Sequence, residues 1–306
     1  APKPGAFSRF VSAKSGATNI RATDLEQGDE ETMTKGVLLR RLMEPFMLRR
    51  LKSDKDLLPD LPECVNYDVA VDLSSGQRTL YEDSVVNFQQ ELLGLRQSQP
   101  QDQSAKQKIN TKRAGLIFKH MNHLRYVCGH PSTLDKQDVA ARHRALVDTT
   151  ESGKANWVLD FLQNRIDEEE KVLIFCTRKR IIYQLKKMIE HVLPGQGVSL
   201  VTGDQKMAER EKNMNTFNNT QETRVMLLTM EAGGVGLNLT GASHVIHFDR
   251  CYNPAKEQQA TDRAHRMGQK NMVCVHRLST RGTYEEKIDR ILRERTSLSE
   301  TLSGLS

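Results

Sequence analysis

Residues 171–176, KVLIFC, decide the fold class that we predict for this chain. The run is short and apolar, which is typical of a buried strand. Four further runs of this kind follow: VSLVT (198–202), VMLLT (225–229), HVIHF (244–248) and VCVHRL (273–278). Helix-like stretches lie between most of these runs. Strand, helix, strand at this spacing predicts a doubly wound α/β domain with a mainly parallel sheet.

The carboxyl ends of these strands are where we expect ligands to bind, because parallel strands end at one edge of their sheet. Thr177 and Arg178 follow the first run, Gly203 and Asp204 follow the second, and a third segment follows Thr229. We therefore predict that one edge of the sheet carries function.

The sequence before residue 151 has a different character. Residues 1–34 are polar, with no sustained apolar period, and predict a mobile arm. YDVAVDLS, which begins at residue 67, alternates as a strand does. For the remainder we predict helices over residues 76–95 and about 113–127, a disordered loop over the polar residues 97–113, and irregular chain over 135–153.

Composition sets broad limits on the class of protein. Hydrophobic residues make up 37% and charged residues 27% of the 306 residues, no apolar run could span a bilayer, and no signal peptide is recognisable. Five scattered cysteines without a C-x-x-C pair suit free thiols in a reducing compartment. We expect a soluble intracellular monomer without a membrane partner. The net charge of +6 is compatible with nucleic acid, although many basic proteins bind none.

His120, His123, Cys128 and His130 form a cluster that could suggest zinc. Against zinc, the cluster straddles an amphipathic helix and its Gly/Pro stop, so packing and capping explain it better. We predict no metal site.

The segment LLTMEAGGVGLNLTGA (227–242) follows a predicted strand and is rich in glycine. Glycines allow a backbone to approach a phosphate closely, and successive N–H groups can form an anion nest. A tight strand-to-helix turn is the alternative explanation.

Arg263 and Arg266 lie three residues apart, and on a helix they would share one face. One interpretation is a solvated helix face paired with Asp262. The other is that both guanidiniums reach across a cleft to the terminal phosphate of a nucleotide, where they neutralise charge in phosphoryl transfer.

The rest of a nucleotide site cannot be found in the sequence. No G-x-x-x-x-G-K-[ST] phosphate loop (Walker A) and no DExH motif occurs, and the acidic run DEEE (167–170) precedes its strand instead of ending one. The sequence therefore predicts half of an active site, inactive by itself.

Taken together, the motifs resemble the second RecA-like lobe of Swi/Snf-type ATP-dependent DNA translocases, within superfamily two of helicase-like proteins. The matching pieces occur in the family's order: PFMLRRLKSD, LPDLPE, LRYVCGHP, SGK, KVLIFC, TGD, AERE, MNTFN, LLTMEAGGVGLNLTGA, HFDRCYNP, QQATDRAHRMGQ and RGTYEEKI. By this resemblance we divide the chain into a flexible arm (1–36), a linker or brace with a family-specific helical insertion (37–150), the second RecA-like lobe (151–282), and a C-terminal helix and tail (283–306).

The resemblance also implies roles for individual residues. Arg263 and Arg266 would be arginine fingers that enter the ATP site when two lobes close, and Gly236, Asn238 and Gln259 would lie near the nucleotide. Contacts to the phosphates of double-stranded DNA would come from Lys154, Thr177, Arg178, Thr202, Gly203 and Thr229. ATP with Mg²⁺ would be bound mainly by the first lobe of a longer natural chain.

Two departures weaken the DNA contact in the glycine-rich motif, because Glu231 and Met230 stand where relatives commonly carry a basic residue and threonine.

An RNA helicase lobe and a non-catalytic binding module stay open as alternatives. Nucleosomes or other DNA-bound proteins are possible partners. We expect a nuclear location for a eukaryotic source and the cytoplasm or nucleoid otherwise.

Overall fold

The computed structural model describes residue 52 and residues 58–97, 103–232 and 238–303. Its centre is one six-stranded sheet in the order β1-β6-β5-β2-β4-β3, with every neighbouring pair parallel. The strands are β1 (Cys64–Val71), β2 (Val172–Cys176), β3 (Gly197–Val201), β4 (Thr223–Thr229), β5 (His244–His247) and β6 (Val273–Thr280). The predicted doubly wound α/β class is confirmed.

Eight α-helices occur in the described ranges. They are α1 (Ser75–Gln97), α2 (Gln103–Gly129), α3 (Arg144–Thr149), α4 (Gly153–Asn164), α5 (Lys179–Val192), α6 (Met207–Asn219), α7 (Pro254–Thr261) and α8 (Tyr284–Ser303). None of the helices in this part of the chain combines the length and apolarity needed to cross a membrane.

Helices cover both faces of the sheet because successive strand residues point to opposite sides. In β2, Ile174 packs with the apolar sides of α4 and α5, whereas Phe175 packs with residues of α6 and α7. The five residues of β2 are all buried, as expected for a central strand of a parallel sheet. This sandwich fixes the strand ends on which the candidate sites depend.

The strand predicted from YDVAVDLS belongs to the same sheet, where β1 pairs in parallel with β6 along its whole length. Sequence analysis placed this strand in the 37–150 segment, before the α/β lobe. Leu51–Arg295 form one compact unit that contains the whole sheet. Of the second unit, which consists of residues 1–50 and 296–306, only 296–303 are described, and they are helical.

The prediction of a disordered loop over residues 97–113 was wrong for 103–113, which form the first turns of α2. Lysine, glutamine and alanine in this stretch are good helix formers, and a polar composition also suits a solvent-exposed helix. The helices predicted over 76–95 and 113–127 are present, the second with an earlier start. Residues 98–102 lie outside the described ranges.

Candidate nucleic-acid and nucleotide sites

Thr177 lies at the carboxyl end of β2, opposite Asp249 at the end of the neighbouring strand β5. The Thr177 amide donates a hydrogen bond to Asp249 Oδ1 at 2.8 Å, and the Thr177 hydroxyl donates to Oδ2 of the same carboxylate. The Arg125 guanidinium, from α2, donates to the Thr177 hydroxyl at 3.4 Å and lies 4.4 Å above the centre of the Tyr252 ring.

Asp249 is a buried carboxylate with only 3% of its surface exposed. Burial raises the pKa of Asp249 above its usual value, because desolvation disfavours the charged form. The hydrogen bonds from Thr177 and the positive charges of Arg125 and Lys154 act in the opposite direction and favour the carboxylate. The end of β5 therefore holds a buried carboxyl group that is surrounded by donors and cations.

Arg178 follows Thr177 and is the residue before the first turn of α5, with extended backbone angles of φ −129° and ψ 126°. Its guanidinium is half-buried and donates to the side-chain carbonyl of Asn122 on α2. The next residue, Lys179, forms an ion pair with Asp204, which links the end of β2 to the turn after β3. Thr177, Arg178 and Gly203 therefore share the predicted edge.

The other predicted DNA contacts on this edge differ in exposure. Gly203 is exposed, and a side chain there would meet open space within 4 Å. Thr202 and Thr229 are buried, and the Thr229 hydroxyl accepts a hydrogen bond from the amide of Ala232 at 3.2 Å. Of these three residues, Gly203 alone presents its backbone to solvent.

Lys154 lies in the interior with 0% of its surface exposed. Its ammonium donates to Glu285 Oε1 at 2.8 Å and lies 2.7 Å from Oε2, which joins α4 to the start of α8. The ammonium also lies 5.7 Å from the centre of the Phe248 ring. An ammonium held in this way has no surface for a phosphate, so we leave Lys154 out of the DNA contacts that we propose.

The prediction that Arg263 and Arg266 share a helix face was wrong. Helix α7 ends at Thr261, and the arginines lie in the turns that follow it. At the end of these turns the buried Gln269 side chain donates to the carbonyl oxygens of Ala242 and Ala264, at 2.8 and 3.2 Å, and so ties the turns to the segment before β5. Gly268, with a φ of 97°, supplies the left-handed backbone that reverses the chain.

The turn 263–269, here called the arginine turn, lies near the amino ends of β5 and β6. The amide of Leu239, in the last part of the glycine-rich segment, donates to the carbonyl of Arg263 at 3.0 Å. The arginine turn and the end of the glycine-rich segment are thus hydrogen-bonded to each other. They lie away from the carboxyl edge that carries Thr177 and Arg178.

Electrostatics in the arginine turn suit an anion. Arg266 is exposed, and Arg263 is half-buried. Burial lowers the pKa of Arg263, and the positive charge of Arg266 lowers it further, so the two guanidiniums act on each other. The charge of Asp262 acts in the opposite direction on the pKa of Arg263, and Asp262 also forms an ion pair with Lys52 at 2.9 Å. A polyphosphate would relieve the repulsion between these two cations.

The three residues predicted near the nucleotide, Gly236, Asn238 and Gln259, differ in how the structure describes them. Gly236 lies within residues 233–237, outside the described ranges. Asn238 is exposed, and its carbonyl accepts a hydrogen bond from the side chain of Asn218 at 3.0 Å. Because Asn238 precedes Leu239, it lies next to the backbone contact with the arginine turn. Gln259 is exposed on α7.

The histidines of the predicted histidine and cysteine cluster contact different partners. His120 lies 3.5 Å from Glu91, whereas the ring of His130 accepts from the amide of Ser132 at the start of a 3₁₀ turn. Burial lowers the pKa of His130 to about 4. Within the residues that the structure describes, no three His, Cys, Asp or Glu side chains converge on a position that could hold a metal ion.

Comparisons with known proteins show the family and the fold of this chain. The family model described as helicase conserved C-terminal domain matches residues 153–268, and the model described as SNF2-related domain matches residues 9–133. The chain belongs to the SNF2-type branch of superfamily two. Its fold is the RecA-like fold of SNF2 ATPase cores.

Individual SNF2-type relatives cover nearly the whole chain. The putative ATP-dependent helicase/translocase YwqA of Bacillus subtilis is 33% identical and covers 86% of it, and the TATA-binding protein-associated factor mot1 of Schizosaccharomyces pombe is 30% identical and covers 96%. The chain spans 26% and 16% of the lengths of these two proteins. The Sulfolobus solfataricus SWI2/SNF2 ATPase core in complex with dsDNA is 30% identical, with a TM-score of 0.61, covering 87% of this chain and 52% of that one.

Sequence reasoning missed three residues of this SNF2-type lobe: Asp249, Arg125 and Glu285. Asp249 could have been found, because it follows a predicted strand by one residue at the expected edge. Arg125 and Glu285 carry no comparable signal, since α2 and α8 lie far from β2 in the sequence. Only the fold brings them to the strand ends.

Proposed function

We propose that this chain is the second motor lobe of an ATP-dependent translocase on double-stranded DNA. The observation that carries the proposal is the separation of two charged surfaces on one rigid sheet. Arg178 and Gly203 lie at the carboxyl edge, while Arg263 and Arg266 lie in the arginine turn near the amino ends of β5 and β6. A motor that couples a nucleotide to DNA needs two such surfaces on one body.

The role we propose for the arginine turn is to supply positive charge to ATP bound with Mg²⁺ on a first lobe. ATP hydrolysis would supply the free energy for movement. The chain's own contribution would be the two guanidiniums, which stabilise charge in phosphoryl transfer when the lobes close. Asn238 and Gln259 would lie beside them. By this proposal the lobe has no turnover alone, since its sequence contains no phosphate loop.

The role we propose for the carboxyl edge is to hold the phosphate backbone of duplex DNA. The dsDNA-bound SWI2/SNF2 core of Sulfolobus solfataricus, which shares the fold, supports this proposal. Phosphate contacts carry no sequence information, so binding should be insensitive to sequence and weakened by salt. For a eukaryotic source we propose a nuclear setting, with nucleosomes or another DNA-bound protein as the object that is moved.

Binding of labelled duplexes to the 306-residue chain tests this function. We expect equal affinity for two duplexes of unrelated sequence, and a linear fall of log affinity with log salt concentration. Single-stranded and double-stranded RNA of the same length serve as competitors. Preferential binding of RNA would favour the RNA helicase alternative, and the absence of salt-dependent binding to any nucleic acid would contradict the proposal.

A further inference from the structure

Asp249 and Thr177 occupy matched positions at the ends of two neighbouring strands. Phe175 and His247 are partners in the register of β2 and β5, and Thr177 and Asp249 each lie two residues beyond them. Phe248, between His247 and Asp249, donates its amide to the carbonyl of Phe175 at 2.9 Å. The parallel pairing thus continues to Phe248, the last residue before Asp249. This pairing places the Asp249 carboxylate beside Thr177.

Thr177 has two hydrogen-bond donors, and Asp249 accepts both. The backbone N–H donates to Oδ1 and the side-chain O–H donates to Oδ2. The remaining capacity of the hydroxyl is as an acceptor, which Arg125 uses. In this arrangement Thr177 has no donor to offer to a phosphate oxygen. Its expected role as a direct DNA contact therefore conflicts with its hydrogen bonds.

Arg178, the adjacent residue, has a half-buried side chain that keeps part of its surface towards solvent. Its Nη2 donates to Asn122 and its Nε is buried, which leaves Nη1 as the end of the guanidinium for a phosphate. The backbone of Arg178 is extended and passes directly into α5. Two hydrogen bonds on the preceding residue, Thr177, therefore fix the direction in which the Arg178 side chain leaves the sheet edge.

The surroundings of Asp249 favour a structural role for its carboxylate over direct binding of a ligand. Asp249 is buried, and both of its oxygens accept from Thr177. The positive charges of Arg125, on α2, and of Lys154, which is paired with Glu285, both act on Asp249. Removal of a buried carboxylate from such a set leaves donors and cations without their acceptor.

We propose that Asp249 is a positioning residue, which holds Thr177 so that Arg178, and not Thr177, contacts the DNA phosphate at the end of β2. This inference rests on the proposed function, because it concerns the DNA contact of the same edge. It assigns to Thr177 a role different from the one that the sequence predicts.

A double-mutant cycle on duplex binding by the 306-residue chain tests the proposal. We expect Asp249→Asn, Thr177→Val and Arg178→Ala each to weaken binding by about tenfold and to reduce the slope of log affinity against log salt by about one. Thr177→Val combined with Arg178→Ala should bind as Arg178→Ala does, because Thr177 acts through Arg178. Thr177→Ser keeps both donors and should restore wild-type binding.

Controls separate positioning from unfolding and from failure of the proposed function. Asp148→Asn changes an exposed carboxylate paired with Lys136 and should bind normally. Thermal unfolding of each variant reports whether the fold survives; if Asp249→Asn does not fold, the Thr177 and Arg178 variants complete the cycle. Absence of salt-dependent duplex binding in the wild type would overturn the proposed function, and the inference with it.

Three results would overturn the inference while the function stands. Losses that multiply in the Thr177 and Arg178 double variant would show that Thr177 contacts a phosphate independently. Tighter binding by Asp249→Asn would show that the carboxylate competes with DNA. Wild-type binding by a folded Thr177→Val variant would show that the Thr177 hydrogen bonds are not needed for the contact.

Discussion

The carboxyl edge of the sheet and the arginine turn are built in opposite ways. At the carboxyl edge, hydrogen bonds link Thr177 to Asp249 and to Arg125. In the arginine turn, backbone hydrogen bonds hold the chain, while Arg266 is exposed and its charge lowers the pKa of Arg263. One surface is organised by its own side chains, and the other concentrates positive charge.

This difference indicates what each surface needs from a ligand. A preorganised edge can grip a regular phosphate backbone repeatedly without rearrangement. A pair of like charges on a firmly held turn gains most when an anion arrives, because the anion relieves their repulsion. We therefore propose steady DNA contact for the edge and the nucleotide-dependent step for the turn.

The sharpest way to break this assignment is Arg266→Ala in a longer natural chain that carries the first lobe. We expect turnover to fall by about three to five decades, because a finger arginine acts on the transition state. ATP binding, measured by displacement of a fluorescent nucleotide, should be largely retained.

Lys270→Ala is the matched control for that variant. Lys270 is an exposed cation four residues further along, so its removal tests whether loss of any nearby positive charge has the same effect. Turnover of Lys270→Ala should equal that of the wild type. Normal turnover by Arg266→Ala would remove the nucleotide role from the arginine turn.

Glu285→Gln tests the interior below the carboxyl edge. It leaves Lys154 buried without a countercharge, and such a loss typically costs about 3–5 kcal/mol of unfolding free energy. Urea unfolding measures the change. Asp148→Asn breaks an exposed pair and should cost less than about 1 kcal/mol. Equal costs for the two variants would mean that the buried pair does not anchor α8 to α4.

Acid should weaken the packing between β5 and α7 through His247. Burial, followed by the charges of Arg277 and Arg250, lowers the pKa of His247 to about 3, and its ring pairs with the hydroxyl of Thr261 at 3.0 Å. The unfolded chain, with a histidine pKa near 6.5, binds this proton first as pH falls. Stability contributed by neutral His247 is therefore present above about pH 6.5 and is lost progressively towards pH 3.

The effect of His247 can be isolated by comparing wild type with His247→Gln. Between pH 7 and pH 5 the wild type should lose about 2 kcal/mol of unfolding free energy more than the variant does. Urea unfolding at both pH values measures this difference. Parallel pH profiles would show that His247 is not held neutral in the folded protein.

Arg178→Ala and Arg165→Ala compare an arginine at the carboxyl end of β2 with one at the end of α4, and they give the smallest expected effect. Arg178 lies after the strand, whereas Arg165 precedes it and pairs with Asp160 at 2.6 Å. Duplex affinity of Arg178→Ala should fall about tenfold and its salt slope by about one, with no change for Arg165→Ala. Equal losses would make the attraction a property of net charge rather than of the carboxyl edge.

Much of the fold follows from local patterns in the sequence. Five of the six strands were predicted from their apolar runs, since buried parallel strands leave a continuous apolar signal, and β1 was predicted from the alternation of YDVAVDLS. Membership of β1 in the same sheet was not predicted, because its partner β6 lies about 200 residues away and parallel pairing leaves no local trace. The start of α2 was missed because an exposed helix and a disordered loop share a polar composition.

The candidate sites were predictable to a smaller extent. Parallel topology correctly placed Thr177, Arg178 and Gly203 on one edge, because strand direction alone decides that. The turn that carries Arg263 and Arg266 was missed, because the hydrogen bond from Gln269 to the carbonyl of Ala242 that holds its end joins separate segments of the chain. The burial of Lys154 was missed for the same reason, since its partner Glu285 lies on α8.

ATP turnover with and without linear duplex DNA tests the central claim most directly, measured on the 306-residue chain beside a longer natural chain that carries the first lobe. We predict no turnover by the 306-residue chain and turnover by the longer chain that duplex DNA strongly increases. Hydrolysis by the 306-residue chain alone, or turnover of the longer chain that ignores duplex DNA, would contradict the account of a second motor lobe that grips DNA and completes an ATP site.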